Sequence, residues 1–265
     1  MSRILIGTSG YDYPEWRGIF YPSDLKRSDF LQYYASQFNA LELNNTFYNM
    51  PTAGRMLSFY EKSQGRLQFS VKANRLLTHE AGADWTLQAK AFRDAVSPLL
   101  EKASLCAVLF QFPQSFHYTK ENRIYLAKLL QEFPGFPLVV EFRHNEWIKP
   151  SVIEGLESRS ASLCYCDMPD LKYLPNIATA IPEPVEGKLF YLRLHGRNTA
   201  SWYAASGPDN PNSRYTYEYS DSELKEFLPI IQNVILTGKR PIVFFNNHPN
   251  GSGAKNAKTL YSQFL

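Results

Sequence analysis

The residues best suited to chemistry in this chain stand at the ends of short apolar runs. In the segment Pro137–Trp147, three apolar residues lead into Glu141, Arg143 and His144. With the two-residue period of a strand, Glu141 and Arg143 share one face, and the apolar residues between them share the other. A carboxylate beside a guanidinium can bind an anion and move a proton. An edge strand with a solvated polar face is the alternative interpretation.

Polar side chains end most of the other apolar runs in the same way. They are Glu42 and Asn44, Lys72 and Asn74, Gln111, Asp167, Arg193 and His195, and Asn246. An unpaired buried charge is very unfavourable, and buried ion pairs stabilise a fold only weakly. A ring of carboxylates and cations therefore indicates a polar pocket. Ion pairs that merely fill the mouth of a barrel are the alternative.

These residue types divide into proton-transfer groups and substrate ligands. We predict catalytic roles for a first set, with a glutamate as general acid or base and His195 as a proton shuttle: Glu42, Lys72, Glu141 and His195. A second set is predicted to bind the substrate: Asn44, Asn74, Gln111, Arg143, His144, Asp167, Arg193 and Asn246. Lys72, Arg143 and Arg193 are expected to clamp an anion. Lys72 as a Schiff-base nucleophile is an alternative, although adjacent carboxylates are expected to keep it protonated.

A glycine-rich turn follows the last apolar run. Backbone N–H groups of Gly251, Ser252 and Gly253, with Gly196 opposite, are predicted to bind phosphate at the start of a helix. An ordinary turn in which Ser252 caps the helix is the alternative.

A divalent metal is conceivable from His, Glu and Asp at the strand ends, but it is not favoured. No HxH or HExxH spacing occurs, and Arg and Lys compete for the carboxylates. Two long loops, Gly10–Lys26 and Arg197–Ser220, mix aromatic residues with Arg. These loops either stack on nucleic-acid bases or pack as a lid over the barrel.

The elements that must position these residues alternate along the chain. The predicted strands are Ile4–Ser9, Ala40–Thr46, Leu67–Asn74, Cys106–Phe112, Pro137–His144, Ala161–Asp167, Leu189–His195 and Pro241–Asn247. The predicted helices are Asp29–Phe38, Ala53–Lys62, Leu87–Lys102, Lys120–Phe133, Pro150–Ser158, Ser222–Thr237 and one from Ala254. This order predicts an α/β protein, a TIM (β/α)8 barrel with an irregular connection, Met168–Gly187, after strand six. An open doubly wound sheet is the alternative.

Composition sets the remaining bounds. A chain of 265 residues with 44% hydrophobic content predicts a single domain over residues 1–265. The net charge of +3 commits the protein to no global electrostatic partner. Neither a signal peptide nor an apolar run of ~18 residues is apparent, so we expect a cytoplasmic protein with no membrane partner. The three cysteines, Cys106, Cys164 and Cys166, are expected to be buried thiols. The oligomeric state is not indicated.

Several segments together resemble the YecE-like family (domain of unknown function 72), in order and over nearly the whole chain. They are IGTSGYDYPEWRGIFYP, FLQYYASQFNALELNNTFYNMP, FSVKANRLLTH, LFQFPQSF, VVEFRHNEW, YLRLHG and FFNNHPNGSGAKNA. The resemblance implies a TIM barrel, similar to metal-dependent endonuclease and isomerase barrels, with no settled activity. It implies as motif residues Glu42, Asn44, Thr46, Lys72, His79, Gln111, Glu141, Arg143, His144, Arg193, His195, Gly196 and Asn246. Tyr11 stands where the family commonly has Trp, and His248 where it commonly has Asp.

The expected function is that of an enzyme acting on a small polar substrate that bears phosphate or carboxylate. Hydrolysis of a phosphoester or glycoside and isomerisation all fit the residues. The alternative is a non-catalytic nucleic-acid or nucleotide binder that uses the aromatic, Arg-bearing loops.

Overall fold

Eight parallel strands and their connecting helices build the fold, as a computed structural model describes it for residues 4–175, 188–204 and 213–265. The strands are β1 (Leu5–Thr8), β2 (Ala40–Leu43), β3 (Gln68–Lys72), β4 (Leu105–Gln111), β5 (Leu138–Glu141), β6 (Ala161–Asp167), β7 (Tyr191–Leu194) and β8 (Ile242–Phe245). They form one sheet in the order β1-β8-β7-β6-β5-β4-β3-β2. All eight predicted strands are present, and the predicted TIM barrel is confirmed.

Helices follow the strands, as the alternating pattern predicts. They are α1 (Phe30–Gln37), α2 (Asn45–Tyr48), α3 (Ala53–Lys62), α4 (Arg75–Thr78), α5 (Trp85–Glu101), α6 (Lys120–Gln131), α7 (Pro150–Glu157), α8 (Asp221–Glu226), α9 (Leu228–Leu236) and α10 (Ser252–Ser262). The prediction of one helix over Ser222–Thr237 is wrong. Phe227 separates α8 from α9, and Pro229 in the first turn of α9 has no N–H to continue the earlier helix.

Two predicted segments reach the edge of the described residues. In the connection after strand six, residues 168–175 contain only a turn, and residues 176–187 lie outside the described part of the chain. Residues 205–212 of the second long loop also lie outside it.

The strands have two differently packed faces, as a two-residue period requires. One face packs against the helices through residues such as Val140, Leu163 and Phe245. The other face fills the barrel interior through residues such as Val139 and Phe244. The parity of a strand residue, that is, its position in the two-residue alternation, therefore decides whether its side chain points towards a helix or into the barrel.

The barrel closes between β1 and β2 mainly through side chains. Thr8 N–H donates to the Tyr34 hydroxyl at 2.8 Å, and that hydroxyl donates to the Ala40 carbonyl at 3.1 Å. Lower down, Ile6 N–H donates to the Asn39 side chain at 2.9 Å. One main-chain hydrogen bond, from Gly10 N–H to the Glu42 carbonyl at 2.8 Å, completes this seam at the top.

Aromatic residues of the first long loop pack inwards. Trp16 and Tyr21 are buried, and the Trp16 indole N–H donates to the His248 carbonyl at 2.9 Å. In the second loop Trp202 and Tyr219 are buried as well. These four buried rings fit a lid, but Tyr203 of the second loop is 56% exposed, so the stacking role stays a prediction as well.

Candidate active site

An ion network lies inside the barrel below the carboxyl ends of the strands. Arg193 of β7 donates to Glu42 of β2 at 2.6 Å and to Glu141 of β5 at 2.6 Å. Both carboxylates are fully buried, and Arg193 is 1% exposed. The strand parity places all three in the interior, because their neighbours Ala40, Val139 and Tyr191 also face inwards. The convergence expected from the sequence is therefore present.

Hydroxyl groups complete the ligands of Glu42. Ser9 donates to it at 2.6 Å and Tyr191 at 2.7 Å, and the Tyr191 hydroxyl also contacts Ser70 at 2.6 Å. Sequence reasoning missed these three residues. Tyr191 could have been found, since it stands two residues before Arg193 and shares its inward parity.

A second group extends the network from Glu141. Arg143 donates to Glu141 and has its other nitrogen 3.4 Å from His195 Nε2. Burial alone would raise the pKa of Glu141, but Arg143 and Arg193 hold it well below its usual range. Glu141 is therefore a charged hydrogen-bond acceptor and a weak base.

His195 is held neutral within this group. The Asn246 amide nitrogen donates to its Nδ1 at 2.9 Å, and its Nε2 lies 3.5 Å from a Glu141 oxygen. Burial, followed by the charge of Arg143, lowers the pKa of His195 to about 3. With Nδ1 accepting, the proton sits on Nε2 and faces Glu141.

A cavity of about 390 Å³ opens above the network at the carboxyl ends of the strands. It is lined by Phe47, Lys72, His79, Gln111, Pro113, Gln114, Arg143, Leu174, Trp202, Tyr203, Arg214 and Tyr215. Three of these described residues are cations and none is an acid. Sequence reasoning missed Phe47, which follows β2 in α2, because its packing against Lys72 is a tertiary contact.

Lys72 is the cation of this cavity that differs from expectation. Burial and the nearby Arg193 lower the pKa of Lys72 to about 7. The adjacent carboxylates raise the pKa of Lys72 as expected, but only in part, because Arg193 and Arg143 already pair with Glu42 and Glu141. At neutral pH the Lys72 amine is therefore divided between its charged and neutral forms.

The structure separates some predicted site residues from the cavity. Asp167 has the outward parity of Leu163, and it accepts hydrogen bonds from Arg197 at 3.0 Å and Tyr219 at 2.7 Å. His144 also faces outwards, where its Nδ1 accepts the Glu146 N–H at 3.2 Å. Their predicted places in the pocket are wrong, because each follows the parity of its helix-facing neighbours.

The asparagines and the buried charges also occupy other places than predicted. Asn74 caps α4 by accepting the Leu76 N–H at 3.1 Å. Asn44 lines a neighbouring cavity of about 330 Å³ with Tyr11 and Arg55. Four further predicted residues lie in the network below the cavity lining: Glu42, Glu141, Arg193 and His195. Of the predicted substrate ligands, Gln111 and Arg143 line the cavity.

The predicted phosphate-binding turn is buried by protein groups. A Cβ on Gly251 would meet Ile19 at 2.8 Å, and Ser252 donates to the Glu218 carboxylate at 3.3 Å. Gly253 N–H is taken by the Asn247 carbonyl at 2.9 Å. Gly196 N–H donates to the Tyr219 hydroxyl at 2.8 Å. These contacts favour an ordinary turn over a phosphate site, because a carboxylate and packed side chains already occupy the turn. The cap by Ser252 is wrong, since α10 begins at Ser252 and its N-cap is Gly251, with no side-chain cap hydrogen bond.

Among the residues that the structure describes, two groups of side chains have the donor types of a metal site. Glu141, Cys166 and His195 form one, but Arg143 and Arg193 compete there for the carboxylate. His117, His144 and Glu146 form the other, on the outer rim. There Glu146 already accepts the Tyr118 N–H at 3.2 Å, and its own N–H occupies His144.

No helix within the described ranges combines the length and the apolar character needed to cross a bilayer.

Comparison with known families gives one match over almost the whole chain. The family described as "Protein of unknown function DUF72" matches residues 5–265. The UPF0759 protein YunF of Bacillus subtilis (strain 168) is 29% identical over 268 residues, which cover 97% of this chain and 93% of YunF.

Two solved structures share the fold. A DUF72 family protein from Thermotoga maritima MSB8 is 32% identical, with a TM-score of 0.83 over 98% of each chain. A DUF72 family protein from Enterococcus faecalis V583 is 26% identical, with a TM-score of 0.75 over 89% of this chain and 93% of its own. The barrel described above is therefore shared with experimentally solved relatives.

Proposed function

The chain belongs to the DUF72 family of unknown function, and we propose that it is an enzyme acting on a small anionic substrate by acid/base chemistry. The substrate binds in the cavity above the ion network. One observation carries this proposal: among the described lining residues, Lys72, Arg143 and Arg214 are cations and no residue is acidic. Arg143 is paired with Glu141 below the cavity, but the described lining itself presents cations and no carboxylate, which favours a phosphate or carboxylate ligand.

The ion network supports the cavity from below. Arg143 is fixed by its ion pair with Glu141, and its guanidinium lies 5.9 Å from the Trp202 ring centroid. A guanidinium held on two sides loses little conformational freedom when it binds an anion. We assign Arg143 and Arg214 as the anion ligands, and Glu42, Glu141 and Arg193 as the residues that position Arg143.

Two cavity residues are suited to proton transfer. The Lys72 pKa of about 7 lets the amine accept or release a proton at neutral pH. Burial lowers the pKa of His79 to about 4, so its imidazole is neutral and available as an acceptor. Glycoside hydrolysis has less support than isomerisation or phosphoester hydrolysis, because it requires two free carboxyl groups and the described lining has none.

Anion binding is the first test of this function. We expect inorganic phosphate at ten times its Kd to stabilise the protein by about 1.4 kcal/mol, or roughly 3–5 °C in Tm, since only the folded state binds it. Arg214→Gln should weaken this shift several-fold. Arg66→Gln, a change at an exposed residue, is the matched control and should leave the shift intact. A Tm that no phosphate or small carboxylate raises would contradict the proposal.

Turnover is the second test. Sugar phosphates, other phosphomonoesters and small hydroxy acids form the panel to screen with wild-type protein. For any substrate found, Lys72→Ala should lower kcat by a factor of about 10²–10⁴, the usual contribution of a positioned acid or base. Unchanged kcat in that variant would remove Lys72 from the reaction.

A further inference from the structure

Lys72 is a partly buried side chain whose amine faces the cavity without an anionic partner. Within residues 4–175, 188–204 and 213–265, no hydrogen bond or ion pair involves its Nζ. Its recorded contact is the face of the Phe47 ring, whose centroid is 4.3 Å from Nζ. A lysine that only supported the fold would be expected to reach a carboxylate, and both Glu42 on the neighbouring strand β2 and Glu141 on β5 act on its pKa.

The network explains why Lys72 lacks such a partner. Arg193 holds one oxygen of each glutamate at 2.6 Å, and Arg143 holds the second Glu141 oxygen. Ser9 and Tyr191 complete the ligands of Glu42. The carboxylates are thus saturated by other donors, and the arginines present positive charge towards the lysine. Both effects favour an uncharged amine with its lone pair free.

A proton carrier stands beside the amine. His79 packs edge-on against the same Phe47 ring, with centroids 4.8 Å apart. Its Nδ1 is hydrogen-bonded to the Thr78 hydroxyl at 2.9 Å, which fixes the ring and leaves Nε2 for exchange. A neutral amine and a neutral imidazole on one apolar surface are the two groups that addition to a carbonyl requires.

We propose that Lys72 forms an imine with a small aldehyde or ketone whose phosphate or carboxylate is bound by Arg143 and Arg214. This inference rests on the proposed function and narrows its substrate to anionic carbonyl compounds. The Nζ lone pair forms a bond to the carbonyl carbon while the C=O π bond breaks, and the amine proton passes to the oxygen through His79. The hydroxyl then takes up a further proton, delivered from solvent through His79, and leaves as water while the nitrogen lone pair forms the C=N bond of a protonated imine.

A protonated imine acts as an electron sink. A bond at the carbon next to the former carbonyl carbon can therefore break, and its electrons move into the C=N bond. That chemistry belongs to isomerases, aldolases and decarboxylases and needs no redox partner. The other role open to Lys72 is that of a third charged ligand for the anion. In that role the amine stays protonated and Arg can replace it.

Reductive trapping tests the imine. Wild-type protein is incubated with glyoxylate or pyridoxal 5′-phosphate at pH 7, reduced with borohydride, digested, and mapped by mass spectrometry. At this pH a pKa of about 7 leaves ~10³ times more neutral amine than the ~10.4 of an ordinary lysine. We therefore expect Lys72 to be labelled at least ten-fold more than exposed lysines such as Lys62.

Variants separate the imine from simple anion binding. Lys72→Arg keeps the positive charge and should retain the phosphate-induced Tm shift while losing the adduct. Lys62→Met is the matched control and should change neither readout. Adducts spread evenly over exposed lysines, or equal labelling of Lys72→Arg, would overturn the imine while leaving the anion site standing. If wild-type protein showed neither the adduct nor the phosphate-induced Tm shift, the anion site would be overturned as well.

Discussion

Replacing Arg193 with Met tests whether the buried network holds the barrel together. Arg193 is the cation that joins Glu42 to Glu141 across the interior, through two hydrogen bonds of 2.6 Å. Met has a similar length and no charge, so Arg193→Met removes the charge with little change in packing. Glu141 keeps Arg143 after this change, whereas Glu42 keeps only the hydroxyls of Ser9 and Tyr191.

The expected loss of stability arises because Arg193→Met leaves Glu42, unlike Glu141, without a cationic partner. Removing one partner of a buried ion pair costs about 3–5 kcal/mol, because the remaining charge has no compensation. A domain with a free energy of unfolding of about 5–15 kcal/mol would lose a large part of its stability. The double variant Arg193→Met/Glu42→Gln removes the uncompensated charge and should recover roughly 2 kcal/mol of it.

Urea unfolding at pH 7, followed by circular dichroism, measures both values. Arg66→Met changes an exposed arginine and serves as the control, with an expected effect within about 0.5 kcal/mol. A loss below about 1 kcal/mol in Arg193→Met would refute the reasoning. So would a double variant no more stable than the single one, because the lost stability would then not come from Glu42.

Three further predictions concern stability. The folded pKa of Glu141 is lowered, so its contribution to stability is fully present above the unfolded pKa of about 4.3 and is lost as pH falls from there through the folded pKa. A Tm profile from pH 7 to 3 should show this loss, and Glu141→Gln should flatten the profile. Tyr34→Phe should cost about 1–3 kcal/mol in urea unfolding, because the Thr8 N–H loses its acceptor; an unchanged midpoint would contradict this. Trp16→Ala should lower the free energy of unfolding by about 3–5 kcal/mol in the same assay, because the ring is buried. If the variant kept its stability but bound oligonucleotides more weakly, the nucleic-acid alternative would be favoured.

Strand parity made much of the site predictable from sequence. A residue two positions from an inward neighbour is itself inward, so Glu42, Glu141, Arg143 and Arg193 could be placed in one interior without coordinates. Eight alternating strand and helix patterns likewise led to the barrel. Both inferences rest on local periodicity, which can be read directly from the sequence.

Sequence reasoning falls short in two ways: the face of a strand residue can be misread, and some environments depend on residues distant in sequence. Asp167 was assigned to the pocket although Cys164 and Cys166 already define the inward face of β6, and its pairing with Arg197 was not foreseen. The protonation of Lys72 is of the second kind, because its pKa of about 7 leaves only part of the amine charged at neutral pH. Its environment depends on which cations saturate the carboxylates, and only the three-dimensional contacts reveal that arginines do so.

The side-chain closure between β1 and β2 makes this joint chemically unlike the other seven. Those seven are main-chain ladders, which almost any sequence of suitable shape can form. Here Tyr34 and Asn39 act as a latch encoded by two particular side chains. A permuted chain that begins at β2 and ends at Asn39 would keep every ladder and both of these side chains, and it would break the covalent path at this joint. Substitution of either side chain can therefore open the barrel between β1 and β2 while the main-chain pairing of the other strands stays intact.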